Sequence, residues 1–195
     1  MQENWQRMKY RFSIIAILII LASCSKDRDL PILKEPNKPG DTTGVDVTYG
    51  IIRINELVAK GSTLINEFGI ASDWLELYNN SNQNINLQGG LWSITDVLSD
   101  PDKFILPPVS IPAGGHLVIF CNDSTSGIQQ IHTGFGLSSN GENVGLFYFK
   151  DGNYIAVDTL SFGLQTTDNM SVARIPDGSD NIQYPSNPSP GAINQ

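Results

Sequence analysis

Apolar and polar side chains alternate in short runs through most of this chain. Asp73-Trp74-Leu75-Glu76-Leu77-Tyr78-Asn79 carries the period-two pattern that predicts a half-buried strand, and Ile85-Asn86-Leu87 and Trp92-Ser93-Ile94-Thr95 continue it. Ile51 to Val58 has the β-branched composition of a strand. Phe104-Ile105-Leu106 runs into Pro107-Pro108, and Ile111-Pro112-Ala113-Gly114-Gly115 reads as a turn feeding the apolar strand His116 to Cys121. Asn143–Lys150 and Tyr154–Phe162 flank Asp151-Gly152-Asn153, a hairpin signal because Gly supplies the positive φ of such turns. Ser171 to Ile175 then meets the turn Pro176-Asp177-Gly178. Many short strands with turn signals between them predict an all-β fold, a β-sandwich, over residues 50–194.

The first 49 residues follow a different pattern. Residues 1–23 place Arg7, Lys9 and Arg11 before the apolar run Phe12 to Ala22, the layout of a secretory signal. The run is too short for a spanning helix, which needs about 20 apolar residues. Leu21-Ala22-Ser23-Cys24 resembles the bacterial lipobox, which implies cleavage before Cys24 and a lipid anchor on that residue. Ser25-Lys26-Asp27-Arg28-Asp29 is similar to the short charged export signal of surface lipoproteins in Bacteroidetes-type bacteria. The expected location is the outer membrane, lipid-anchored and exposed at the cell surface. Residues 24–49 hold Pro31, Pro36, Pro39, Gly40 and Gly44 with few large apolar side chains, and read as an extended, disordered linker. Thr42 lies in that linker within Asp41-Thr42-Thr43, which resembles a three-residue O-glycan acceptor.

Composition narrows the function. The chain has 195 residues, 16% of them charged, and a net charge of −8. Removal of residues 1–23 takes away Glu3 and three bases, which shifts the net charge to −10. A protein that coats nucleic acid needs a basic face, so no nucleic-acid partner is expected. Two cysteines, one of them the expected anchor, exclude a disulfide framework.

The motifs taken in order are Ile54-Asn55-Glu56, Asp73 to Asn79, Ile85-Asn86-Leu87, Trp92 to Asp96, Ile111 to Gly115, and His132-Thr133-Gly134-Phe135-Gly136-Leu137-Ser138. Gly141-Glu142, Asp158 to Gly163, Arg174-Ile175-Pro176-Asp177-Gly178 and Pro188 to Asn194 complete the series. The series resembles the lamin tail domain, an immunoglobulin-like β-sandwich of nuclear lamins that also occurs in bacterial surface and secreted proteins. The segment Leu87-Gln88-Gly89-Gly90-Leu91-Trp92 is about two residues longer than the family's usual turn. The resemblance implies an interaction module without shared catalytic machinery. The expectation is therefore a non-enzymatic, membrane-anchored binding module whose partner is an envelope protein or a glycan; the alternative is a structural accessory of another envelope protein.

The residues that bear chemistry are few. His116 and His132 are the only histidines, and no Gly-x-Ser-x-Gly elbow is present, so no catalytic residues are assigned. His132 is expected to pack or hydrogen-bond, His116 to sit exposed at a strand edge, and Cys121 to behave as a small buried hydrophobe. Gly134 to Ser139 lacks the third glycine and the strand–turn–helix context of a dinucleotide fingerprint. Asp96, Asp100 and Asp102 share one loop and form the candidate calcium site; no other cofactor is expected. Trp74, Trp92, Phe104, Phe120, Phe147 and Tyr148 are expected mostly in the core, with Tyr148 or Phe149 facing outward.

Overall fold

The computed structural model describes residues 50–124 and 129–195. Twelve strands form among them: β1 (Ile52–Val58), β2 (Asp73–Asn79), β3 (Ile85–Leu87), β4 (Trp92–Thr95), β5 (Phe104–Ile105), β6 (Val109–Ile111), β7 (His116–Cys121), β8 (Ile131–His132), β9 (Glu142–Lys150), β10 (Asn153–Phe162), β11 (Val172–Arg174) and β12 (Ile182–Gln183). They assemble into a six-stranded sheet in the order β12-β11-β1-β2-β7-β8, a four-stranded sheet β10-β9-β4-β5, and the pair β3-β6. All pairings are antiparallel except β7 with β8. This is the all-β sandwich expected from the alternation, with the immunoglobulin-like architecture that the resemblance implies.

The core lies between the two larger sheets. Ile52, Ile54 and Leu57 of β1, Leu75 and Leu77 of β2 and Ile119 of β7 meet Trp92, Ile94, Val144, Leu146 and Leu160 of the facing sheet, with Leu106 and Ile111 closing one side. Two bulges shape this packing. The β1–β2 register shifts between Ile54 and Glu56, so Ile54 and Leu57 both face the core while Asn55 and Glu56 are carried to the opposite side. The β10–β9 register shifts between Ala156 and Asp158, which turns Val157 inward. Asp151 and Gly152 both have positive φ (52° and 82°), the backbone of the tight hairpin between β9 and β10.

The half-buried reading of β2 needs correction. Trp74 and Glu76, on the face away from the main core, are as buried as Leu75 and Leu77. Trp74 packs with Val58 and Phe120 under Leu64 and Val118 in a second, smaller cluster. The carboxylate of Glu76 lies under the C-terminal segment. The six-stranded sheet is therefore covered on both faces.

Candidate functional site

Bulging of β1 and the strand register place two acids directly opposite each other: Glu56 pairs with Glu76, and both are fully buried. The C-terminal segment supplies their partners. The N–H and Oγ of Ser189 donate to Glu56, the N–H at 3.0 Å, and the N–H of Gly191 donates to Glu76 at 2.5 Å. Asp177 accepts from Asn55 Nδ2 and from the N–H of Asn194, both at 3.0 Å, and its other oxygen lies 3.0 Å from His116 Nε2. Asn194 Nδ2 donates to the carbonyls of Asn55 and Arg174. Burial pushes the Glu56 carboxyl up. Burial likewise raises Glu76, against the pull of the Gly191 N–H, and the acids Glu56 and Asp177 add to the rise, leaving it at about 8.

Two buried acids beside a histidine have the inventory of acid–base chemistry. Their oxygens, however, are engaged by Ser189 and Gly191 of the C-terminal segment and by the Asn55 amide of β1. What the cluster does is fasten that segment to the sheet.

A second electrostatic knot sits at the β1–β10 crossing. Asp158 Oδ2 accepts the N–H of Ile54 at 2.8 Å, Arg174 Nη2 lies 3.3 Å from both carboxylate oxygens, and Arg53 Nε lies 3.4 Å away. Burial raises the Asp158 carboxyl while the guanidiniums of Arg174 and Arg53 pull it down. Arg53 also pairs with the exposed Asp180 at 2.6 Å.

The surface feature open to a partner lies elsewhere. β5 is the last strand of one sheet and β8 the last of the other. Between these two edges runs a groove of about 440 Å³ lined by Phe104, Ile105, Leu106, Pro107, Pro108 and Ile131, with Gly89, Gly90, Gln130 and His132 at its margins. Gly89 and Gly90 of the lengthened Leu87–Trp92 turn therefore contribute to this groove. A Cβ on Gly89 would stand 2.8 Å from Pro108 Cδ. The wall behind it is ordered by polar contacts: Gln130 Oε1 accepts the N–H of Glu67, Glu67 accepts the N–H of Gln129, and the His132 Nδ1 edge meets the Asn122 amide at 3.1 Å. His132 is held between the rings of Phe120 and Phe68, with Nε2 3.6 Å from Glu67. Phe68 and Ile105 are each more than a third exposed.

Of the remaining sequence candidates, His132 packs and hydrogen-bonds as expected. His116 does not sit exposed: Asp177 and the Tyr78 ring cover its side chain. Cys121 is buried, and desolvation drives its thiol well above the ordinary range. Asp96, Asp100 and Asp102 are not drawn together. Asp96 is held by Lys103 Nζ at 2.6 and 2.9 Å, Asp102 meets the Tyr154 hydroxyl, and Asp100 is exposed. Among the described residues no group of three or more His, Cys, Asp or Glu side chains is placed to hold a metal ion. Trp74, Trp92, Phe120 and Phe147 are core residues; Tyr148 rests on Trp92 and Phe149 on Tyr154, both half-buried. Cys24 and Thr42 lie outside the described residues. Asn55, Asp177, Ser189 and Asn194 were not singled out as site residues by sequence, although all four stand in the motif series. Among the described residues no helix is long and apolar enough to cross a membrane.

A two-sheet sandwich with short edge strands and an apolar groove between them defines an immunoglobulin-like interaction module. The lamin tail domain family matches residues 48–163, more than half of the chain, and the chain belongs to that family. A comparison with curated proteins gave no match.

Proposed function

We propose that this protein is a non-enzymatic lipoprotein of the bacterial outer membrane, anchored through Cys24 and displayed on the cell surface, whose lamin tail domain binds an envelope protein. The observation that carries the binding role is the groove between β5 and β8, with apolar walls and a hydrogen-bonded polar margin. A protein segment suits it better than a sugar. Sugars stack on broad exposed aromatic faces, and among the described residues Trp74 and Trp92 are core residues while the groove offers aliphatic side chains, prolines and Phe104. The linker of residues 24–49 sets the reach: at about 3.1 Å per residue an extended chain of that length spans roughly 75 Å. Two or three acyl chains on Cys24 suffice for stable anchoring, since one alone gives only marginal attachment. O-glycosylation at Thr42 would keep that linker extended. No cofactor enters this reading.

Photo-crosslinking in cells tests the binding role. A crosslinker placed at Ile105 should capture one defined envelope protein that the same group at Asn140 does not capture. Identical products at both positions would overturn the groove as the binding surface. A glycan array with the purified chain decides the sugar reading, since specific glycan retention lost in Ile105→Asp would replace the protein partner with a glycan. Palmitate labelling should be present in the wild type and absent in Cys24→Ala; equal labelling would remove the anchor. Protease added to intact cells should cut the domain, and an uncut domain would reverse the surface assignment.

A further inference from the structure

The two larger sheets have four edges, and three of them are strands of two residues: β5, β8 and β12. Short edges are a common guard against pairing with another chain. The fourth edge, β10, is ten residues long. Its second half is occupied. The N–H of Gly50 donates to the carbonyl of Val157, Asp158 takes the N–H of Ile54, and Arg174 Nη2 donates to the carbonyl of Thr159.

The first half, Asn153-Tyr154-Ile155-Ala156, has no such cover among the described residues. Asn153, Ile155 and Ala156 are exposed, Ile155 at 48%. No charge or proline interrupts the four residues, and the β10 bulge falls just past Ala156, so within the segment the edge is left unguarded. Ile155 stands opposite Tyr148, whose ring lies on the core residue Trp92. Its side chain thus extends the inner apolar face of the sheet past the point where the six-stranded sheet covers it.

The register fixes which backbone groups point outward. The Asp151-Gly152 hairpin makes Lys150 and Asn153 a hydrogen-bonded pair, and Ile155 with Tyr148 is the next. Tyr154 and Ala156 alternate with these, so their N–H and C=O groups face away from β9. An antiparallel copy of the same segment is its complement. About a two-fold axis through Ile155, Tyr154 of each copy meets Ala156 of the other in a hydrogen-bonded pair, and the two Ile155 side chains meet at the axis.

We propose that the chain self-associates through this segment, joining two four-stranded sheets into one eight-stranded sheet with β10 at its centre. The occupant favoured is a second copy because the pairing is self-complementary and wholly uncharged. Each domain is acidic and would repel its copy across most other surfaces. Gly50 at Val157 ends the ladder and confines the contact to four residues, so the association is weak in solution.

The full-length chain tests this by cysteine crosslinking. In the pairing described, the two Ile155 form a non-hydrogen-bonded pair with Cα atoms about 4.5 Å apart, within disulfide range. Under mild oxidation Ile155→Cys should give a covalent dimer at least tenfold faster than Thr167→Cys, an exposed control. Equal rates would overturn the proposal. Sedimentation of the wild type should show a concentration-dependent dimer that both Ile155→Asp, which sets like charges on the axis, and Ala156→Pro, which removes an outward N–H, abolish. A dimer that survives both variants in folded protein, or a wild type that stays monomeric with no crosslinking, would equally refute it.

Discussion

Glu76 should give the protein a stability that falls as pH rises, and Glu76→Gln should remove much of that dependence. Burial beside Glu56 and Asp177 raises its carboxyl from 4.5 to about 8. A group whose folded pKa is raised keeps its proton longer in the folded state. Its contribution is therefore fully present below about pH 4.5 and is lost progressively as pH rises to about 8. At about 1.4 kcal/mol for each pH unit between those limits, the ceiling on the whole window is about 5 kcal/mol. Loosening of the Ser189–Asn194 segment lets water reach the ionised carboxylate, so about 2–3 kcal/mol is the expected loss between pH 5 and pH 9. Glu56, Asp73, Glu142 and Asp158 are also raised by burial and add slopes of the same sign, so the difference between wild type and variant is the quantity to measure. Gln at position 76 can accept the Gly191 N–H through its carbonyl and cannot ionise. Urea unfolding followed by the fluorescence of buried Trp74 and Trp92 at several pH values gives both curves. Parallel curves for wild type and Glu76→Gln from pH 5 to pH 9 would refute the reasoning.

Asp158→Ala should cost about 3–5 kcal/mol in chemical denaturation, because it leaves two buried guanidiniums without their shared carboxylate and the Ile54 N–H without an acceptor. Gly145→Ala should cost about 1–3 kcal/mol by the same measurement: the added Cβ would fall 2.5 Å from Phe147 Cε2 and 2.8 Å from Leu98 Cδ2. Cys121 should react with a thiol reagent only as the protein unfolds, since the thiol is buried and its pKa driven up; labelling of the native protein at the rate of a free thiol would contradict that. Asn194→Ala should cost about 2 kcal/mol through its lost bonds to the Asn55 and Arg174 carbonyls, read as a lowered denaturation midpoint.

The sandwich was legible because many of its strands carry period-two patterns or apolar runs bounded by turn signals. β2, β3, β4 and β7 lie where the alternation and turn signals put them. β6, β8 and β12 went unseen. They are as short as β3, β5 and β11, β8 and β12 lack an alternating or apolar run of their own, and only pairing with β3, β7 and β11 makes the three of them strands. The error at His116 has a related origin, since nothing beside it in sequence says that Asp177, 61 residues away, will cover its side chain. The groove was illegible for a different reason. Phe104-Ile105-Leu106 before two prolines signals an apolar turn, but nothing local says that Ile131 and His132 of the other sheet will face it. In the acidic loop the count of carboxylates was visible while the pairing of Asp96 with Lys103 was not.

The segment after residue 163 explains how two acids survive on a covered sheet. Glu56 and Glu76 lie inside the family-matched stretch, whereas β11, Asp177, Ser189, Gly191 and Asn194 all lie beyond it. Stopping the chain at residue 163 would open the edge of β1, uncover both carboxylates and remove Arg174 from Asp158. Each loss acts on β1, the strand that also contributes Ile52, Ile54 and Leu57 to the core. The bonds that join the two stretches span 115 to 139 residues of sequence, so the last residues must arrive before the sheet is complete. The folding unit is thus the whole stretch from residue 50 onward, and the polar cluster is what couples its last strand pairs to its first.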